Sequence, residues 1–258
     1  MAVSDDLDLL EAACRAGGEI ARRYFQECCK SWSKQDGSPV TEADLEVDAY
    51  LRRTLTQARP DYGWLSEESV DDRNRLEHRT LFIVDPIDGT VAFLEGRAHF
   101  TVCAAVVQDG APVAGVVYNP LLDHLYKAKT GAGAFCNDAP IRVSDCCAMP
   151  GCAILGDRAM LTAPPWPQMR VETRNSVAYR VALTADGSFD ATLSLSAKRD
   201  WDLAAADIIL REAGGRITDR EDQSLVYNRP EAVQPTMLAA GPRLHAEILS
   251  HLSEGRAT

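Results

Sequence analysis

Apolar residues recur at helical spacing over 7–28, so the chain is expected to open on an amphipathic helix. The polar stretch 31–40 carries Gly37 and Pro39 and reads as a loop. Thr41 then opens a second helix. Thr41 and Asp44 stand at capping-box spacing, with Asp in place of the commoner Glu, and Val47, Leu51, Leu55 and Ala58 form the apolar stripe. Asp44 lies one turn before Val47 and Asp48, on or beside that stripe, and a carboxylate aimed inward needs a partner. After a turn at Arg59-Pro60-Asp61, residues 64–69 read as a short extended segment. Residues 81–84 are a solid apolar run, suited to a central strand that ends at Asp85-Pro86. Runs at 101–108, 113–118 and 124–128, joined by Asp109-Gly110 and Asn119-Pro120, predict an antiparallel meander that 131–135 and 141–143 continue.

The second half changes character. Strands are expected at 153–155, 191–195 and 237–240, and helices at 176–184, 201–213 and 244–252. In the helix at 201–213, Leu203, Ala206, Ile209, Leu210 and Ala213 repeat at helical spacing, and Gly214-Gly215 ends it. This alternation predicts an α/β unit at 149–258 following an α+β unit at 1–148, with Pro150-Gly151 as punctuation.

Composition narrows the function. At 46% apolar and 25% charged residues, the 258-residue chain is ordinary for a soluble globular protein. No apolar run approaches the roughly 18 residues of a membrane span. The segment 1–11 carries Asp5, Asp6 and Asp8 where a secretory signal needs basic and apolar residues, so a cytoplasmic protein is expected. The net charge of -11 argues against nucleic-acid polymers as partners. The eight cysteines include the adjacent pairs Cys28-Cys29 and Cys146-Cys147 but no C-x-x-C, and read as reduced thiols. His78, His99, His124, His245 and His251 form no i, i+4 pair, which speaks against zinc.

The chemistry concentrates at Asp85-Pro86-Ile87-Asp88-Gly89-Thr90. An apolar strand delivers Asp85, a second carboxylate follows three residues later, and Gly89 permits close backbone approach. Two carboxylates on one tight turn repel unless a cation lies between them, and oxygen ligands on a rigid turn suit Mg²⁺. Taken alone, the motif is equally a plain Asp-Pro, Asp-Gly turn. Glu67-Glu68 lies some eighteen residues upstream. Extended backbone would point the two glutamates opposite ways, so one of them, Glu67, is the candidate ligand. Asp202 follows Trp201 at the start of an apolar helix. Brought together, Asp44, Glu67, Asp85, Asp88 and Asp202 would require divalent cations.

In this order, Glu67-Glu68, Asp85 to Thr90, and Trp201-Asp202 with Ala205 closely resemble the lithium-sensitive, Mg²⁺-dependent inositol monophosphatase superfamily. SPVTEAD at 38–44, GVVYNP at 115–120, GAGAFCNDAPIRVS at 131–144 and EAGGRITD at 212–219 extend the resemblance over nearly the whole chain. It implies a five-layer αβαβα sandwich, often dimeric, with two or three Mg²⁺ per site. It further implies that Glu67, Asp85, the Ile87 carbonyl, Asp88 and Asp202 hold the metals. Glu67 and Thr90 would orient the attacking water, with Asp44 assisting through Thr90 or a third metal. Backbone around Gly89 and Thr90, with Asp88 and Asp202, would meet a small phosphate-ester substrate.

The superfamily includes inositol monophosphatases, 3'(2'),5'-bisphosphate nucleotidases and fructose-1,6-bisphosphatases. Family inositol phosphatases carry a ring-contacting glutamate seven residues before the Trp-Asp aspartate; here that residue is Leu195. LSEES at 65–69, the SPVTEAD stretch and Phe100-Thr101-Val102 look more like the bisphosphate nucleotidase branch. Arg180 falls roughly where that branch places a basic residue in the substrate pocket, and Lys198-Arg199 is a second candidate for an anion. The segment after Thr90, VAFLEG, matches neither branch. An inositol-1-monophosphatase and a catalytically inactive phosphometabolite-binding protein are the alternatives. A haloacid-dehalogenase-type phosphatase would need D-x-D, whereas two residues separate Asp85 and Asp88.

Overall fold

A computed structural model describes residues 5–26, 29–34, 37–71 and 73–254. Helix α1 (Asp6–Gln26) leads to a hairpin of β1 (Ser31–Ser33) and β2 (Pro39–Thr41), then α2 (Glu42–Ala58). Strand β3 (Gly63–Ser66), a 3₁₀ turn (Asn74–Glu77), β4 (Thr80–Asp88) and the short α3 (Thr90–Leu94) follow. The meander then runs through β5 (Thr101–Gln108), β6 (Ala111–Asn119), β7 (His124–Lys129), β8 (Ala134–Cys136) and β9 (Ala139–Pro140). The second half contains β10 (Ala153–Leu155), α4 (Arg158–Leu161), β11 (Arg170–Glu172), α5 (Val177–Ala185), β12 (Ala191–Ser194) and β13 (Lys198–Arg199). It closes with α6 (Asp200–Glu212), β14 (Arg216–Thr218), β15 (Val233–Gln234), β16 (Met237–Ala240) and α7 (Pro242–Glu254).

Strands β3 to β9 form one sheet in chain order, antiparallel except for the parallel pair β3–β4. The second sheet is mixed, in the order β11-β10-β12-β16-β14. Helices α1 and α2 cover one face of the first sheet, and α6, with α5 beside it, covers the other. Helix α5 also packs on β12 and β16, while α7 packs on β16 and α4 on β11. The order helix, sheet, helix, sheet, helix is the expected αβαβα sandwich. Three apolar cores fill its gaps. One joins Leu10, Val47 and Leu51 to Phe82, Val84 and Val102. The second joins Ile83, Cys103 and Val117 to Val181, Ile209 and Met237, and so draws on both halves of the chain. The third joins Ile154 and Leu193 to Leu161, Leu244 and Ile248. The central strands β4 and β5 carry one apolar set per face, as two-sided burial demands. At Gly115 on β6, a Cβ would lie 2.6 Å from the Ala205 carbonyl oxygen of α6, so helix and sheet meet backbone to backbone.

Several expectations need correction. Residues 31–40 are not a plain loop, because Ser31–Ser33 pairs antiparallel with Pro39–Thr41. The stripe of α2 ends at Leu55, and Ala58 is exposed. Strand β4 continues past Pro86 to Asp88: its register with β5 shifts between Asp85 and Asp88, so a bulge absorbs the missing N–H. Residues 141–143 form no strand; the Val143 N–H donates to the Ala213 carbonyl instead of to a ladder. The expected end of the first helix, Cys28, lies outside the described residues. The cysteines at 14, 29, 103, 136, 146, 147 and 152 are free thiols. No helix among the described residues is long and apolar enough to cross a membrane.

Candidate active site

Strand β4 lies between β3 and β5, so its end is held from both sides. It delivers Asp85 and Asp88 at its own carboxyl end, where both are almost wholly buried. Asp85 accepts from the Ile87 N–H at 3.1 Å across the bulge. Asp88 sits at the N-terminus of α5. Its carboxylate accepts from Ser176 Oγ at 2.7 Å, the Val177 N–H at 3.1 Å and the Ala178 N–H at 2.6 Å. These bonds, together with the positive end of the helix dipole, favour the ionised form.

Gly89 follows in the left-handed region at φ 101°, and a Cβ there would lie 2.7 Å from the His99 carbonyl oxygen and 3.0 Å from the Ser176 nitrogen. The turn therefore needs glycine. Thr90 Oγ1 stands 3.2 Å from Asp44 Oδ1 and 3.1 Å from the Ile87 carbonyl oxygen. Asp44 completes the capping box read from the sequence: its Oδ2 accepts from the Thr41 N–H at 2.8 Å and from Thr41 Oγ1 at 2.5 Å. The inward carboxylate thus finds its partners in Thr41 and Thr90.

Glu67, Asp85, Ile87, Asp88, Gly89, Thr90 and Asp202 line one cleft of about 190 Å³, with Ser38, Pro39 and Asn175 on its rim. Asp44 reaches this cleft through Thr90. Burial raises the Asp85 carboxyl well above the ordinary carboxylate range, and the charges of Glu67, Asp88 and Asp202 add to it. Burial likewise pushes Asp88 up to about 6 against the pull of its three hydrogen bonds. Asp202 is pushed up to about 7 by burial and by Asp88, although the Arg199 N–H donates to it at 2.8 Å. Buried carboxylates that raise one another's proton affinity are a site short of positive charge.

Mg²⁺ fits that shortage. The donor set is wholly oxygen: carboxylates from three segments plus the Ile87 carbonyl. Among the described residues no three acidic, histidine or cysteine side chains are already drawn into ligating geometry. Glu67 is turned toward Lys34, and Asp88 is engaged at the N-terminus of α5. Lys34 Nζ lies 2.8 Å from Glu67 Oε1 and 2.6 Å from Glu68 Oε1. The two glutamates therefore do not diverge as extended backbone predicts, because β3 ends at Ser66 and both follow it. Burial pushes Glu68 up to about 7 even beside Lys34.

Arg180 is no exposed helix residue. Its Nε donates to the Arg174 carbonyl at 2.7 Å and its Nη2 to the Asn175 carbonyl at 3.2 Å. It lines a second, larger cavity of about 670 Å³ with Arg158, Lys198, Leu195 and Ser196. Arg180 and Lys198 both act electrostatically on Asp88 and Asp202, which sets this cavity beside the carboxylate cleft. Of the Lys198-Arg199 pair, only Lys198 lines the cavity. Arg199 is the residue before α6 and lies over the Trp201 ring at 5.7 Å. Sequence reasoning missed Lys34, Ser176 and Arg158. An N-cap serine before an apolar helix was a usable signal for Ser176; a lysine in a polar segment carried none for Lys34.

The inositol monophosphatase family model matches residues 3–257. The chain is 33% identical over 241 residues to the 3'(2'),5'-bisphosphate nucleotidase CysQ of Aggregatibacter actinomycetemcomitans, covering 87% of this chain and 88% of that one. It is also 33% identical over 256 residues to the inositol-1-monophosphatase of Mesorhizobium japonicum, covering 90% and 94%. The crystal structure of the extragenic suppressor protein suhB from Bartonella henselae superposes with a TM-score of 0.84 at 28% identity, covering 98% of this chain and 100% of that one. The chain belongs to the inositol monophosphatase family and is a phosphatase that hydrolyses phosphate monoesters.

Proposed function

We propose that this phosphatase removes a phosphate from a small metabolite that carries a second anionic group, in the first place a 3'(2'),5'-bisphosphate nucleotide. The observation that carries this reading is the cationic cavity beside the carboxylate cleft. Arg158, Arg180 and Lys198 line it against one carboxylate, Asp157, and Leu195 stands among them where a polyol-binding carboxylate would otherwise repel a second phosphate. At about 670 Å³ the cavity has room for a nucleoside.

In this reading Glu67, Asp85, the Ile87 carbonyl, Asp88 and Asp202 hold two or three Mg²⁺. When bound, Mg²⁺ neutralises the carboxylates, makes water a better nucleophile and stabilises the leaving oxygen. The chain's own residues orient the reaction. Thr90, held between Asp44 and the Ile87 carbonyl, directs its hydroxyl to the attacking water with Glu67. Backbone at Gly89 and Thr90 cradles the phosphate, and Arg180 fixes the 174–175 segment on the rim. No side chain forms a bond to phosphorus. An inositol 1-phosphate substrate, which the Mesorhizobium relative's name favours, is the second reading. A cytoplasmic homodimer completes the proposal.

The test is a rate comparison on adenosine 3',5'-bisphosphate, inositol 1-phosphate and fructose 1,6-bisphosphate, each with Mg²⁺ and with EDTA. The bisphosphate nucleotide is expected to show the highest kcat/KM, and EDTA to abolish turnover. Preference for inositol 1-phosphate overturns the substrate; undiminished rates in EDTA overturn the metal.

A further inference from the structure

Arg75 is only 1% exposed, although it lies in a 3₁₀ turn between two strands. All five of its guanidinium N–H groups are engaged. Nε and Nη2 donate to the Asp71 carboxylate at 3.0 and 2.7 Å. Nη1 donates to Asn228 Oδ1 at 2.8 Å and to the Arg229 carbonyl at 3.0 Å, and Nη2 reaches the Pro230 carbonyl at 3.4 Å. Asn228 returns a bond from its Nδ2 to the Arg75 carbonyl at 3.3 Å. The arginine thus ties the segment after Glu67-Glu68 to a loop some 150 residues away.

That loop braces the other side of the site. The Asn228 N–H donates to Asp200 Oδ2 at 3.0 Å, and Gln234 Nε2 donates to Asp200 Oδ1 at 2.7 Å. The Asp200 N–H donates to the Ala232 carbonyl at 3.1 Å. Strand β15 pairs with β13, placing Gln234 opposite Lys198 and Val233 opposite Arg199. Asp200 is fully buried, two residues before Asp202 in the first turn of α6.

We propose that Arg75 is a positioning residue that sets Asp202 and Lys198 against Glu67 through Asn228 and Asp200. This rests on the reading of Asp202 as a metal ligand. Glu67 follows a strand of the first sheet, whereas Asp202 opens a helix of the second half, so their separation depends on whatever ties the two segments together. A planar fork with every donor used fixes distance and angle at once, which a lysine's single ammonium does not. Groups that hold metal ligands from behind typically change metal affinity by about 10–100-fold when removed.

The experiment measures Mg²⁺ binding by isothermal titration calorimetry, with kcat and KM alongside, on the full chain. The variants are Arg75→Lys, Asn228→Ala, Asp202→Asn and, as a remote core control, Leu10→Ala. Arg75→Lys and Asn228→Ala are each expected to weaken Mg²⁺ binding about tenfold or more and to raise KM. Leu10→Ala should lower the melting temperature and leave both unchanged. Normal Mg²⁺ binding in folded Arg75→Lys and Asn228→Ala, with binding lost in Asp202→Asn, overturns the inference. Normal binding in Asp202→Asn overturns the ligand reading and the inference with it.

Discussion

Ser176 and Asp88 are 88 positions apart in the chain and joined by a 2.7 Å hydrogen bond from Ser176 Oγ to Asp88 Oδ2. Ser176 Oγ in turn accepts the Tyr179 N–H at 2.9 Å as the N-cap of α5. One hydroxyl therefore starts a helix of the second half and holds a carboxylate of the first. Ser176→Ala should cost about 1–2 kcal/mol of stability, the scale of a lost cap and buried hydrogen bond. Turnover should fall without vanishing, because the Val177 and Ala178 N–H groups still hold Asp88. Urea denaturation and kcat measured together check this; unchanged stability would deny the cap its role.

Asp88→Asn should reduce turnover by at least about a hundredfold, the scale of a lost electrostatic group in an active site. The protein should remain folded, because burial already works against the Asp88 charge. A circular dichroism melt beside the rate assay separates the two effects. Near-normal turnover would remove Asp88 from the site.

Lys198→Ala should raise KM for adenosine 3',5'-bisphosphate about tenfold or more, the scale of one hydrogen bond to a charged group. It should change kcat/KM for a monophosphate of a simple alcohol much less, since that substrate leaves the second cavity unfilled. Equal losses on both substrates would make Lys198 a partner of the carboxylate cleft rather than of a second anion.

His245 is fully buried on α7, with Nε2 3.0 Å from Thr218 Oγ1. Burial, helped by Arg216, lowers its pKa to about 4 from an ordinary value near 6.5. The folded protein resists a proton that the unfolded chain accepts, so stability is intact above about pH 6.5 and falls as pH drops toward 4. The loss from this one group is on the order of 2–3 kcal/mol. His245→Leu should flatten that part of the stability profile, read from denaturation midpoints between pH 4 and 7. An unchanged slope would assign the acid sensitivity elsewhere.

What was legible in the chain follows how local each signal is. The Thr41–Asp44 box spans four residues and was readable as such, as was the apolar face of α6. The strand Arg170–Glu172 and the two-residue pairs Lys198–Arg199 and Val233–Gln234 are too short and polar to show any period, yet one of their residues, Lys198, lines the cavity beside the carboxylate cleft. The end of β4 was misread because proline normally stops a ladder, and only the pairing with β5 reveals the bulge. The carboxylates were nameable from their motifs. Arg180 was reached through the resemblance and Ser176 carried an N-cap signal, whereas Lys34 lies in a polar segment where one residue looks like any other.

Gly115 has a consequence beyond packing. With β6 and α6 in backbone contact there, any side chain at this position would wedge the strand and the helix apart. The cavity lined by Arg158 and Leu195 has a tight point of its own at Gly156, where a Cβ would lie 2.6 Å from Leu161 Cδ1 and 2.8 Å from the Leu193 carbonyl oxygen. Both the sheet–helix contact and the second cavity thus keep their backbone frames, and under the proposed function a change of substrate would fall to side chains such as Arg158 and Leu195.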